Sequence, residues 1–390
     1  MYLNRHAVLE VVSVVRRRFS WRRTVAAAGY AFGYVIVRAL LDLTRWLDDL
    51  VWPENRDQVI RPPVFIFGNA RSGTTLLHRL LCLDEERFTS MKLYQSIFPR
   101  ISVIRPIMAL ARLDDRLPGR PLHRALGFFN RRVFTTWEGI HDMGLDLPEE
   151  DEAIYTLCMM TPAVVLLLPF LDDLPLARSL DAQPPAERRA FMDHYEDALR
   201  RHLFAVGGDR IFLNKSVLFS ARIRTVFERF PDAQFVYLVR HPFEVIPSFL
   251  SMFHTKWLTH SPEIRADSPE ARALARLAID YYRAALDCRA FIPPERFMVV
   301  RYDELMAEPK RTIESIHRRL GFEVGAAFEA RLDHAVAQSR EYVSGHSYSL
   351  ARFGLTEAEI QAELEDIFRE FGFERTRVGA MAGAISAAAG

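Results

Sequence analysis

The sequence is poor in cysteine, in net charge and in unbroken apolar runs, and each shortage excludes a class of protein. Three cysteines in 390 residues, Cys82, Cys158 and Cys288, are odd in number and widely separated. They offer no CxxC pair and no zinc spacing, so neither a disulfide framework nor a metal site is expected, and a cytoplasmic location is the default. With 51 Lys and Arg against 50 Asp and Glu, nothing points to a nucleic-acid partner. A composition of 49% hydrophobic and 26% charged residues excludes disorder, collagen and coiled coil. The length suffices for one large domain with appendages or for two domains.

The basic residues are unevenly placed. Arg5, Arg16, Arg17, Arg18, Arg22 and Arg23 face one acid, Glu10, and precede an apolar run from Thr24 to Val37. No small-residue cleavage pattern follows, and the run, read as broken at Arg38 and softened by Gly29 and Gly33, falls short of the roughly 20 residues of a spanning helix. Three readings stand for residues 1–55: a helical extension packed on the main domain, peripheral contact of residues 1–50 with an anionic membrane surface, and a spanning anchor. Residues 56–377 read as the main domain, and 378–390 as a flexible tail of small apolar residues.

After Pro53 the pattern changes. Val64–Phe67, Ile211–Leu213, Gln234–Val239 and Phe297–Val300 are short apolar runs of the kind buried on both faces of a parallel sheet. Helical patterns lie between them, which predicts an α/β domain with a mainly parallel sheet.

The strongest local signal follows the first run. Gly68-Asn69-Ala70-Arg71-Ser72-Gly73-Thr74-Thr75 leads into a helical stretch and matches the phosphate loop G-x-x-x-x-G-K-[ST] except at Thr74, where the lysine is missing. A triphosphatase without that lysine loses its main γ-phosphate contact, and no strand here ends in an aspartate suited to magnesium. Arg71 supplies a cation from within the loop instead. The second signal is Arg240 at the end of a strand, where ligands of open α/β sheets bind, with Ser248 on the helix that follows.

Together with Asn214-Lys215-Ser216, Phe230-Pro231-Asp232-Ala233, Val300-Arg301-Tyr302-Asp303-Glu304-Leu305 and His346-Ser347-Tyr348-Ser349-Leu350, these motifs resemble the sulfotransferases that use 3′-phosphoadenosine-5′-phosphosulfate, in the bacterial branch carrying R-S-G-T-T. The resemblance implies a P-loop-like three-layer sandwich with an N-terminal helical extension, a metal-independent mechanism, and adenosine 3′,5′-bisphosphate as product. It implies that Ser72, Gly73, Thr74 and Thr75 bind the 5′-phosphosulfate, that Arg240 and Ser248 hold the 3′-phosphate, and that Tyr302 lies near the adenine. Arg71 and Lys215 would stabilise the departing phosphate and the transferring group.

The acceptor hydroxyl also needs a base. Protein-tyrosine sulfotransferases carry a glutamate a little over twenty residues beyond the loop, where this chain reads Met91-Lys92-Leu93-Tyr94-Gln95. The remaining candidates are His141, whose imidazole titrates near neutrality, and Glu150 in the acidic run Pro148 to Glu152. For that run the competing expectation is acids in the first turn of a helix. Residues 153–171 are uncharged but broken by Pro162 and Pro169, and are compatible with a core helix or with the lining of an apolar acceptor site for a lipid, sterol or polyketide alcohol. The alternatives to sulfuryl transfer are a nucleotide kinase or triphosphatase and a relative that binds nucleotide without turnover. The acceptor's identity and the oligomeric state are not written in the motifs.

Overall fold

The computed structural model describes residues 2–133, 144–339 and 349–373. His141, His346, Tyr348 and the segment 378–390 lie outside the described residues.

Five parallel strands form one sheet: β1 (Val64–Phe67), β2 (Phe88–Thr89), β3 (Ile211–Ser216), β4 (Gln234–Val239) and β5 (Phe297–Arg301), in the order β2-β3-β1-β4-β5. The fold is therefore α/β, as the alternation of runs and helical patterns predicts. Four strands contain the expected runs: β1 and β4 match them in full, while β3 runs three residues further, to Ser216, and β5 one further, to Arg301. The fifth, β2, is two residues long and carries no periodicity that could announce it. Alternation along β1 divides the core: Phe65 and Phe67 point into the larger cluster on one face, Val64 and Ile66 into the smaller one on the other. Helices cover both faces. Those that include Phe191, Phe249 and Leu274 pack on the first, while α3 (Thr74–Cys82) and Pro309–Arg319 pack on the second.

The N-terminal extension is helical, but its boundaries correct the expectation. Arg5–Arg17 forms α1, and Trp21–Val51 is a single 31-residue helix, α2. The run does not stop at Arg38, because that guanidinium turns inward to donate to the Tyr2 carbonyl (3.3 Å) and the Tyr34 hydroxyl (3.2 Å). By length and composition α2 is apolar enough to cross a membrane.

Its inner side is nevertheless fastened to the body. Arg23 donates to Ser261 Oγ (2.8 Å) and Glu263 Oε1 (2.6 Å), and the Tyr34 hydroxyl donates to the Leu157 carbonyl (2.9 Å). Asp48 is fully buried and accepts from the Ile101 and Ser102 amides (2.9 and 2.8 Å), capping the helix Ile101–Asp114. The buried Arg201 ties Asp48 and Asp49 to Asp197.

Residues 153–171 do not form one helix. They break into the short helix Glu152–Leu157 and two 3₁₀ turns, and Ile154, Tyr155, Cys158, Leu168 and Leu171 are spent in the larger core. The prolines explain the breaks: each removes a donor and restricts the residue before it.

Candidate active site

The loop between β1 and α3 is shaped by contacts that leave no room for side chains. A Cβ on Gly68 would fall 2.3 Å from the Leu238 carbonyl oxygen of neighbouring β4. Gly73 takes φ +89°, and a Cβ there would lie 2.8 Å from the Tyr302 ring. Arg71 also adopts a left-handed conformation, at φ 74°. This is a costly backbone for a non-glycine residue, of order 1–3 kcal/mol, and its occurrence within an anion-binding loop is the usual place for such strain. The loop delivers the chain into α3, whose first-turn amides lack intrahelical partners and whose dipole favours an anion.

Ser72 is buried, and among the described residues its Oγ has no hydrogen-bond partner. An unmatched buried hydroxyl costs roughly 1–3 kcal/mol, a deficit that a phosphate oxygen would remove. The loop thus fits an anionic group of phosphate size.

On one flank stands Arg240, just past the end of β4. Its Nη1 donates to the Arg71 carbonyl (2.7 Å), its Cζ lies 4.0 Å from the Tyr302 ring centroid, and its Nη2 pairs with Glu244 (2.6 Å). Tyr302, at the end of β5, therefore touches both Gly73 and Arg240. The Tyr282 hydroxyl holds the Arg240 carbonyl (2.7 Å). Ser248 is buried on the helix Pro242–His260, four residues beyond Glu244 and so on the same helix face.

On the other flank stands Lys215, near the end of β3 and almost fully buried. Its Nζ lies 2.7 Å from Glu150 Oε1 and 3.4 Å from Thr75 Oγ1. Lys215 is a strand residue facing the loop.

The acidic run explains this placement. Residues 150–152 lie alongside the end of β3 and bond to it position by position. Asp151 N donates to Asn214 Oδ1 (3.3 Å), Glu150 takes Lys215 Nζ and the Val217 amide (3.4 Å), and the Ser216 hydroxyl donates to Glu152 Oε2 (3.3 Å). The buried Arg222 locks the array through Ser216 Oγ (2.7 Å), Glu152 (2.8 Å) and Asp151 (3.5 Å), with its guanidinium 3.5 Å above the Tyr155 ring. Dipole complementarity therefore does not account for the run, since the helix begins only at Glu152 and three of its acids face cations.

Burial pushes the Asp151 carboxyl up to about 6 even with Arg222 beside it. His78 on α3, which no motif singled out, is fully buried. Burial, followed by the charge of Lys215, pushes it down to about 3, so it stays neutral beside the ammonium.

Arg71, Ser72, Gly73, Thr74, Thr75, Lys215, Glu150, Arg240 and Tyr302 thus surround one loop at the carboxyl ends of four strands, the position at which open α/β sheets bind ligands. Arg222, Tyr282 and His78 were missed. Each acts through contacts with residues distant in sequence, and no local pattern marks them.

Comparisons with known proteins agree with this arrangement. The model of the sulfotransferase family matches residues 62–325. The omega-hydroxy-beta-dihydromenaquinone-9 sulfotransferases Stf3 of Mycobacterium bovis and Mycobacterium tuberculosis are each 27% identical over 322 residues, covering 80% of this chain and 76% of theirs. Among solved structures, sulfotransferase STF1 from Mycobacterium tuberculosis superposes with a TM-score of 0.69 at 21% identity, covering 93% of this chain and 92% of that one. Sulfotransferase STF9 from Mycobacterium avium gives 0.64 at 19%, over 83% and 80%. The reaction is therefore sulfuryl transfer, and the cradle with Arg240 beside it suits the donor that the resemblance implies, 3′-phosphoadenosine-5′-phosphosulfate. With a phosphate cradle that lacks the triphosphatase lysine, a second cation one strand away and a family model spanning most of its length, the chain belongs to the sulfotransferase family.

Proposed function

We propose that this enzyme transfers the sulfuryl group to the hydroxyl of an apolar, lipid-like acceptor, as a cytoplasmic protein working at a membrane surface. Catalysis is assigned to residues 56–377 and attachment to the extension before them. The observation that carries the reading of the site is the contact of Lys215 with both Thr75 and Glu150, which sets a cation and a carboxylate side by side at the loop.

In this reading Ser72, Gly73, Thr74 and Thr75 hold the 5′-phosphosulfate through backbone amides and hydroxyls. Arg240 and Ser248 take the 3′-phosphate, and Tyr302 flanks the adenine. As the S–O bond to the donor breaks and the bond to the acceptor oxygen forms, negative charge moves onto the leaving phosphate, where Arg71 and Lys215 stand. The acceptor proton passes to a carboxylate or an imidazole.

Glu150 is the better supported base among the described residues. The segment that bears it is hydrogen-bonded to Met91–Leu93, through Glu149 N to the Met91 carbonyl (2.9 Å) and Leu93 N to the Leu147 carbonyl (3.3 Å). It therefore borders the stretch in which protein-tyrosine sulfotransferases place their glutamate. His141, the first choice on the sequence, lies outside the described residues and becomes the alternative. The acceptor class rests on the mycobacterial relatives, whose names specify an omega-hydroxylated dihydromenaquinone.

Labelled donor assayed with a hydroxylated isoprenoid lipid and with a panel of sugars tests the acceptor, and preference for a sugar overturns it. Glu150→Gln is expected to lower kcat by about 10²–10⁴-fold while leaving binding of adenosine 3′,5′-bisphosphate within a few-fold. Full turnover in that variant moves the base to His141.

A further inference from the structure

The outer face of α2 carries a long stripe of exposed apolar side chains. Val25, Phe32, Ile36, Leu43, Trp46 and Leu50 recur at helical spacing along it and are all exposed; Phe32 is 72% exposed and Trp46 62%. Between Val25 and Val51 the exposed face carries one charged residue, Asp42. A helix of 31 residues is about 46 Å long, so the stripe far exceeds the isolated apolar residues normal on a soluble surface. On α1, Leu9 and Val12 are exposed between the exposed Arg5 and Arg16.

Charge chooses the occupant. Among residues 2–50, five arginines are exposed, Arg5, Arg16, Arg17, Arg18 and Arg22, against one exposed acid, Asp42, with Asp173 of the body near Arg17 and Arg18, in a chain whose net charge is only +1. Arg16, Arg17, Arg18 and Arg22 cluster at the turn where α1 meets α2, all exposed. An apolar stripe with arginines at one end and tryptophans, Trp21 and Trp46, near both ends matches the boundary of an anionic bilayer, where acyl chains, headgroups and negative charge are layered.

Length and composition alone also allow a spanning helix, but the inner side of α2 forbids it. From Arg23 to Asp48 that side is hydrogen-bonded to the body, at Ser261, Glu263, Leu157, Ile101 and Ser102. Crossing a bilayer would pull the middle of α2 off the body, break the Tyr34 bond to Leu157 and leave the inward-facing Arg38 in hydrocarbon.

We propose that α2 lies in the plane of an anionic membrane, with its outer stripe sunk to the depth of the headgroup–acyl boundary and its inner side still carrying the catalytic domain. This deepens the assignment of a lipid-like acceptor by stating how the enzyme meets it, and rests on that assignment for its purpose but not for its test.

The test uses the full chain with phosphatidylcholine vesicles, with and without phosphatidylglycerol, and a paired variant, Phe32→Glu with Leu43→Glu. Both positions are exposed and far in sequence from the site, so binding of adenosine 3′,5′-bisphosphate should be unchanged and serves as the check on folding. The expected result is flotation of the wild type with the anionic vesicles, weakened at high salt and removed by alkaline carbonate. Tryptophan emission should be quenched by brominated lipid, and the paired variant should lose at least tenfold in vesicle partition.

Three results would overturn the proposal: no flotation of the wild type, retention through carbonate, or a dimer that the paired substitution dissociates without any change in vesicle binding. Lipid sulfation in detergent without vesicle binding would remove the docking and keep the acceptor; vesicle binding with a sugar acceptor would do the reverse.

Discussion

Lys215 and Arg240 stand on opposite flanks of one loop and answer to different parts of the donor, so their removal should separate in the kinetics. Lys215→Ala removes a buried donor aimed at the loop and at Glu150, and kcat is expected to fall about 10²–10³-fold with little change in product binding. Arg240→Ala removes the guanidinium stacked on Tyr302, and a charge-assisted contact of roughly 1.5–3 kcal/mol is expected to appear in donor KM and in calorimetric binding of adenosine 3′,5′-bisphosphate. Identical effects of the two variants on kcat and KM would contradict this division. The loop glycines, Thr74 and Arg240 were legible in the sequence because spacing and strand ends are local features. The contact of Tyr302 with Gly73, and the pairing of Lys215 with Glu150 across 65 positions, were not, because each depends on strand order.

Among the elements, the array joining the acidic run to the end of β3 governs the geometry of the site. Arg222 is fully buried and faces Asp151, Glu152 and Ser216, the immediate neighbours of Glu150 and Lys215. Arg222→Met would leave two carboxylates without their cation, and a loss of about 3–5 kcal/mol is expected, read as a lower urea midpoint. Arg222→Lys should recover part of it. Equal midpoints for wild type and Arg222→Met would show that the array is not held by this charge. Strands β1, β3, β4 and β5 were legible from apolar runs, whereas β2 was too short. The extent of α2 was misread because an arginine inside an apolar run looks like an end, and only the fold reveals that it turns inward to Tyr34.

At the scale of the whole molecule, buried histidines set the response to acid. His78, His194 and His202 are all pushed down to about 3, chiefly by burial. In the unfolded chain they titrate near 6.5, so below that pH the unfolded state takes up protons that the folded state refuses. Their contribution is complete above about pH 6.5 and is lost as pH falls toward 3, by about 1.4 kcal/mol per pH unit for each histidine. Asp151, pushed up to about 6, opposes them in the window from 6 to 3.8, because the folded chain there keeps a proton that the unfolded chain releases. The three histidines outweigh Asp151; burial also lowers His254, and the ion-paired Asp197 and Asp303 are held low, against Glu10 and Asp181 raised by burial, so thermal midpoints at pH 7.5, 5.5 and 4.5 should descend in that order. A flat series would mean that the imidazoles are protonated in the native state.

The order of the sheet also bears on synthesis. Strand β1 lies at its centre, yet Val64 meets Leu213 and Gln234, partners encoded about 150 and 170 positions later. At roughly 5–20 residues per second, a ribosome takes on the order of 10–30 s to supply them, and throughout that delay an apolar strand and the greasy helix before it have left the exit tunnel without mates. The nascent polypeptide thus needs a shelter of its own, and the first apolar surface it can offer a lipid leaflet or a chaperone is finished long before the enzyme is.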